Sequence, residues 1–252
     1  MLLMGVIVFS VIVLAMIAIL AIRPMRIPHD STREGVENAA ALQAYYRVSH
    51  WPIFTYERHI VLKVLSKIKP KGQLVDIGCG PGYLAAKIYQ KFPDVKIAGL
   101  DINELTLKNA KRTWSSYLYP GLEFLTGDAQ QLPFPDSSLD FIISSLSLHH
   151  WPDAQAVFQE IFRTLKPGGK VLIFDLRRDS PSYFYWALKT GQAFLAPTSI
   201  RNINGAVGSF WAAYTPSEIE AMVHGIPLDN LRIESGFGWM LISGNKPEKF
   251  KL

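Results

Sequence analysis

Apolar and polar positions follow three regimes along this chain. Residues 2–22 carry no charge, and Ser10 is their one clearly polar side chain. As a helix such a run is roughly 30 Å long, the thickness of a bilayer's hydrocarbon core. It predicts a transmembrane anchor over residues 1–22. A cleaved signal peptide is the competing expectation, but nothing basic precedes the run. Arg23 and Arg26 follow it, so the positive-inside rule predicts a single-pass protein with its main body facing the cytoplasm. Pro24 and Pro28 predict a break in the helix and a linker over 23–33.

The second regime is helical. Residues 30–48 read as a helix with Ser31 or Thr32 at its cap and Glu34 in its first turn. Residues 51–68 read as another, entered through Pro52, with Ile53, Ile60, Val61, Val64, Leu65 and Ile68 favouring one face. Lys69-Pro70-Lys71-Gly72 ends it. The third regime alternates short apolar strands with amphipathic helices. Strands are expected at 73–78, 95–101, 122–126, 139–144 and 170–176, and helices at 83–92, 104–114 and 154–165. Such alternation predicts a parallel sheet covered on both faces. The end of the chain differs. A helix at 217–223 precedes strands at 231–237 and 239–244, whose short connection requires an antiparallel pair.

The length of 252 residues allows one large α/β domain with an appendage. The domain is assigned to 34–252, with N-terminal helices over 34–70 and an aromatic-rich insertion over 179–214. Hydrophobic residues make up 49% and charged residues 19%. The net charge of +5 comes without any run of Lys and Arg or any basic stripe with interleaved aromatics. Nucleic acid is therefore not expected as a partner. Cys79 is the single cysteine, which excludes a disulfide within the chain and leaves a cysteine-based metal site unsupported.

Candidate chemistry begins at Val75-Asp76-Ile77-Gly78-Cys79-Gly80-Pro81-Gly82, where the first strand meets its helix. Glycines there let the backbone turn sharply and approach a ligand. The next strand ends in Asp101, placed where an acid can accept both hydroxyls of a ribose. A helix cap is the plainer reading of Asp101. Gly127-Asp128-Ala129 follows the third strand, where an acid can accept the amine of an adenine ring. Alone it is also compatible with an ordinary loop.

Taken in order, these segments resemble the class I S-adenosylmethionine-dependent methyltransferases, in particular the type 11 group that includes ubiquinone and menaquinone methyltransferases. Pro135-Asp136-Ser137-Ser138-Leu139-Asp140, Leu148-His149-His150-Trp151 and Leu165-Lys166-Pro167-Gly168-Gly169-Lys170 carry the same resemblance, which covers about 71–176. It implies a Rossmann-like α/β fold with a seven-stranded, mostly parallel sheet of order 3-2-1-4-5-7-6 and an antiparallel last strand. It implies S-adenosylmethionine as donor and S-adenosylhomocysteine as product. By position, Asp76, Gly78, Cys79, Gly80 and Gly82 would line the methionine and ribose part. Asp101 would bind the ribose, Ile102 would pack on adenine, and Asp128 with Ala129 would hold the adenine edge. Ser144, Ser145 and Leu146 would border the methionine end and the transfer site. Residues 165–169 would be a structural turn.

Methyl transfer from a sulfonium needs the nucleophile, the methyl carbon and the sulfur in line, and a base when the acceptor is a hydroxyl or acidic carbon. His149 and His150 are the base candidates, against a plain role in loop hydrogen bonding. Tyr185, Trp186 and Trp211 in the aromatic stretch, with Tyr45 and Tyr46 from the N-terminal side, are candidates to bind the acceptor. Core packing explains the same aromatics equally. No metal site is expected. Anchor and aromatics together predict a small lipophilic acceptor such as a quinone precursor, lipid, phenol or thiol. The alternatives are an inactive donor-binding or scaffold protein of the same fold, and a nicotinamide-dependent oxidoreductase, which the glycine spacing disfavours.

Overall fold

The computed structural model describes residues 2–21, 28–30, 39–114 and 118–248. Strand-length apolar runs build its centre. β1 (Gln73–Ile77), β2 (Lys96–Asp101), β3 (Leu122–Thr126), β4 (Leu139–Ser145), β5 (Leu165–Leu176), β6 (Asp229–Ser235) and β7 (Trp239–Asn245) form one sheet in the order β3-β2-β1-β4-β5-β7-β6. β1 to β5 pair in parallel, while β7 runs antiparallel to both β5 and β6. The expected order and closing antiparallel strand are both present. The inner strands are apolar on both sides because helices cover both faces.

Alternation along each strand assigns the faces. Val75, Ile77, Ile142 and Ile173 join one core, which holds Val157, Phe158 and Ile161 of α6 (Ala154–Thr164) and Ile219 and Val223 of α10 (Pro216–Val223). Leu74, Phe141, Ile143 and Leu172 join the other. That core is closed by Val61 and Leu65 of α3 (Pro52–Ile68), Leu84, Ala85 and Ile88 of α4 (Tyr83–Lys91), and Leu107 and Ala110 of α5 (Glu104–Thr113). Asp76 and Ser145 share the parity of this second set, which turns both toward α3.

Helix ends follow their local chemistry. Pro52 opens α3 at its first position, and Lys69 closes it in the left-handed region, its amide donating to Leu65 O. Thr215 and Glu218 form a reciprocal capping box on α10. Two expectations change. The helix expected over 30–48 is α2 (Ala39–Val48), and Asp30 lies outside it as irregular chain. Ser31 and Thr32, expected at its cap, and Glu34, expected in its first turn, lie outside the described residues. The turn expected over 165–169 is instead the start of β5. Leu165 pairs with Leu139, and the register then shifts before Phe141 meets Lys170. Gly168, at φ 77°, gives the irregularity its shape, and its amide donates to Lys246 O.

The anchor is a further correction. α1 (Leu2–Ala21) is helical, and Val6, Ile7, Phe9, Val11, Ile12, Leu14 and Met16 are exposed on it. Yet among the described residues no helix is long and apolar enough to cross a membrane. The expectation of a single-pass anchor with the body facing the cytoplasm is withdrawn. Within the linker assigned to 23–33, residues 28–30 lie on the domain. His29 stacks on Tyr214 at 4.5 Å, and the Asp30 amide donates to Trp211 O.

The insertion after β5 is three helices, α7 (Ser182–Leu195), α8 (Thr198–Arg201) and α9 (Gly205–Ala212). α7 packs on α9 around the buried Phe210.

Candidate active site

The loop after β1 is built by backbone geometry. The amides of Gly78 and Cys79 both donate to Leu100 O, at 2.7 and 3.0 Å. Gly78 has φ 69°, and a Cβ on it would collide with the Ser147 side chain. Gly80 has φ 51° with nothing within 4 Å of where a Cβ would stand. The first glycine lets the chain turn, and the second leaves open space against the backbone. Gly82 starts α4 in the left-handed region.

Parallel pairing then gathers the acids. Asp101 stands opposite Thr126 at the carboxyl ends of β2 and β3. Its carboxylate accepts from the Gly80 amide at 2.8 Å and the Asn103 amide at 2.9 Å. Burial pushes the Asp101 carboxyl up, against the pull of these backbone donors. Ile102 is 70% exposed at the lip, free of the core and available to cover a ligand. Asp128 accepts from the Gln130 amide at 2.8 Å, which fixes its carboxylate beside Ala129.

Asp76, Cys79, Ser144 and Ser145, all assigned to the donor, lie behind this edge. Cys79 is buried, its thiol 3.7 Å from Gly80 O, and burial followed by Asp76 and Asp101 pushes it well above the usual thiol range. Ser144 donates to Ile77 O at 2.8 Å and locks β4 to β1. Asp76 is 1% exposed, and its Oδ2 has no hydrogen-bond partner among the described residues. Burial, then Glu57, then Asp101, push its carboxyl well above the usual range. Ser145 donates its hydroxyl to Glu57 Oε1 in a short contact.

The two histidines have different surroundings. His149 is 3% exposed, and its Nδ1 lies 2.6 Å from Oδ1 of Asp175, itself buried at the end of β5. The Leu176 amide also donates to that oxygen, at 2.6 Å. His150 stands at the rim, its ring centroid 4.2 Å from that of His149. Enclosure by the surrounding walls, then His149, push its pKa down to about 3. His149 thus has a carboxylate beside it to steady a positive charge, whereas His150 stands exposed at the rim.

All of this opens on one cavity of about 1000 Å³. Gly78, Gly80, Asp101, Ile102, Asp128 and Ala129 line one end. Phe184, Leu188, Leu195, Ile200, Ile203 and Phe237 line the other. Glu57, Leu146, His149 and His150 also line it, and no Lys or Arg is found in its wall among the described residues.

Residues 75–173 match the family described as a methyltransferase domain. Over this segment the chain is similar to methyltransferase domains. The ubiquinone/menaquinone biosynthesis C-methyltransferase of Rickettsia akari is 32% identical over 137 residues, which are 52% of this chain and 55% of that protein. The sterol 24-C-methyltransferase of Aspergillus fumigatus is 38% identical over 109 residues, 43% of this chain and 29% of that one. The chain thus spans about half or less of the length of these curated relatives. A putative S-adenosyl-L-methionine-dependent methyltransferase from Methanococcus maripaludis superposes with TM-score 0.64 at 21% identity, covering 84% of this chain and 94% of that one. Phosphoethanolamine N-methyltransferase 2 of Haemonchus contortus, solved with S-adenosyl-L-methionine, superposes with TM-score 0.64 at 16% identity, covering 83% and 57%. At these identities the likeness is one of fold.

The cavity receives the insertion differently from the sequence expectation. Tyr45 lines the cavity, but Tyr46, Tyr185, Trp186 and Trp211 do not. The Tyr46 hydroxyl donates to Thr106 O at 3.4 Å and ties α2 to α5. Tyr185 is buried against Phe210 and Trp211. Trp186 is 55% exposed with Lys189 Nζ 5.0 Å from its ring. Two acids escaped the sequence reading. Glu57 carries a visible signal, since it falls in the apolar stripe of α3 four residues after Ile53 and four before Val61. Asp175 carries a weaker one, as an acid ending an otherwise apolar strand.

Proposed function

We propose that this protein transfers a methyl group from S-adenosylmethionine to a small lipophilic acceptor. The cavity carries the reading, because its polar, glycine-lined end runs directly into an apolar chamber. The polar end fits the donor. Gly80 leaves open space beside its backbone, Asp101 presents both carboxylate oxygens, and Asp76 keeps an unpartnered buried oxygen behind them. Asp101 holds the ribose hydroxyls, Ile102 covers the adenine face, and Asp128 with Ala129 meets the adenine edge. When bound, the donor supplies a methyl group already activated on a sulfonium.

The protein's own work is placement and proton removal. The chamber under α7 to α9 takes the apolar body of the acceptor and excludes water. With Nδ1 donating to Asp175, His149 accepts a proton at Nε2, and the Asp175 carboxylate stabilises the resulting imidazolium. This suits a phenol, an enol or an acidic carbon. The relatives named for quinone and sterol methylation support the same acceptor class.

The test is incubation of the full chain with methyl-labelled donor and a panel of lipophilic phenols, hydroquinones and thiols. Label should enter the organic extract. Asp175→Asn should lower kcat by about a hundredfold or more while donor affinity stays unchanged. Absence of donor binding by calorimetry would remove the reading.

A further inference from the structure

Glu57 is an acid with no place in the scheme so far. It sits on α3, outside the matched family segment, yet lines the cavity. It is 5% exposed, and the Ser145 hydroxyl fixes it against the end of β4. Strand parity turns Asp76 of β1 toward the same helix. The groups that act on Glu57 are Arg58 on its own helix, Asp175 on β5 and Asp76 on β1. Of these only Arg58 is cationic, and its guanidinium is engaged elsewhere, donating to Ser49 O at 2.7 Å and lying 5.8 Å from the Tyr83 ring. Two buried carboxyls therefore lie on the α3 side of the sheet, Glu57 in the cavity wall and Asp76 behind it with an unpartnered oxygen, and no Lys or Arg lines the wall among the described residues. Buried charge of one sign without a partner is costly, and a ligand of opposite sign relieves it.

We propose that Glu57 is a positioning residue for the donor, its carboxylate acting with Asp76 to receive the cationic methionyl end of S-adenosylmethionine. The proposal rests on the donor placement given above. It adds a residue from the N-terminal helices to a site otherwise built by strand ends. Its consequence is a proton linkage. Burial pushes the Glu57 carboxyl up to about 7, with the Ser145 hydroxyl and Arg58 opposing. At pH 6 the free protein then carries Glu57 about nine-tenths protonated. A cation arriving beside it favours the ionised form, so donor binding expels the proton to solvent. Affinity rises with pH up to about 7 and levels above it.

Calorimetric titration of the full chain with S-adenosylmethionine, in two buffers of different ionisation enthalpy, reads the protons released. The wild type should release close to one proton per donor at pH 6 and few at pH 8.5. Glu57→Gln, which keeps the shape, should release about one proton fewer than the wild type at pH 6 and bind roughly tenfold or more weakly at pH 8.5. Ser145→Ala removes a donor to the ionised carboxylate, so its affinity profile should move to higher pH. Asp101→Asn serves as the control for donor placement and should weaken binding while leaving the proton release intact. Wild-type affinity and proton release in Glu57→Gln would overturn the proposal, as would normal binding with lost turnover, which makes Glu57 a base. If Asp101→Asn also binds normally, the donor placement itself has failed.

Discussion

At the scale of single residues, this site keeps groups that work against the stability of the empty protein. Glu57 is the clearest. Its folded pKa of about 7 lies above its ordinary value, so the folded state holds a proton that the unfolded state has lost between pH 4.5 and 7. For an acid raised in this way, stability falls as pH rises through that window and stays low above it. Glu57→Gln removes the ionisation. In thermal or denaturant unfolding without donor, it should match the wild type near pH 5 and exceed it at pH 8 by up to about 3 kcal/mol. A variant no more stable at pH 8 than at pH 5, relative to wild type, would show that Glu57 ionises without strain. Asp101 and Asp128 could be found in the sequence because each follows a strand end by position alone. Asp175 could not be paired with His149 that way. Their 2.6 Å contact joins the end of β5 to the turn after β4, and only parallel register brings those together.

At the scale of elements, α7 shows what a helical period decides. Phe184, Leu188, Gly191 and Leu195 recur at three- and four-residue spacing and line the cavity. Tyr185 is rotated about 100° from Phe184, onto the face that packs against α9, and Trp186 goes further round to solvent. The sequence marks the stretch as aromatic but leaves its helical phase open, and Tyr185, Trp186 and Trp211, offered for the acceptor, stand outside the cavity wall. Strands were read more closely. β3 has the expected ends, whereas β5 begins five residues early because a Lys-Pro-Gly-Gly segment that reads as a turn is held in the sheet through Leu139 and Lys246. Gly191 tests the face assignment. It lies inside a helix, lines the cavity, and a Cβ there meets nothing within 4 Å. Gly191→Leu should stabilise the protein by up to about 1 kcal/mol through helix propensity. It should also raise KM for bulky acceptors or abolish their methylation, with donor affinity by calorimetry unchanged. Unaltered turnover of the bulkiest acceptor would place the acceptor elsewhere.

At the scale of the whole molecule, the charge of the surface and that of the cavity have opposite signs. The chain carries +5 overall, yet the cavity wall holds Glu57, Asp101 and Asp128 and no Lys or Arg among the described residues. Net charge was readable from composition, but this segregation was not, because it depends on which acids the sheet edge and α3 turn inward. The segregation bears on the acceptor more directly than the overall charge does. Proteins that bind phosphate or carboxylate groups supply guanidinium or ammonium donors in the wall. An anionic acceptor here would meet the carboxyls of Glu57, Asp101 and Asp128 with no guanidinium or ammonium among the described lining, and like charges brought together in a desolvated site cost several kcal/mol. The acceptor's reactive end is therefore uncharged or cationic, and its body apolar. Two compounds sharing one apolar body, one ending in a phenolic hydroxyl and the other in its phosphate monoester with a second hydroxyl free, separate the cases. In competition for labelled donor, kcat/KM for the neutral compound should exceed that for the ester by about a hundredfold or more. Equal labelling of the two would mean that a cation outside the described wall reaches the acceptor, and the charge argument would then fail.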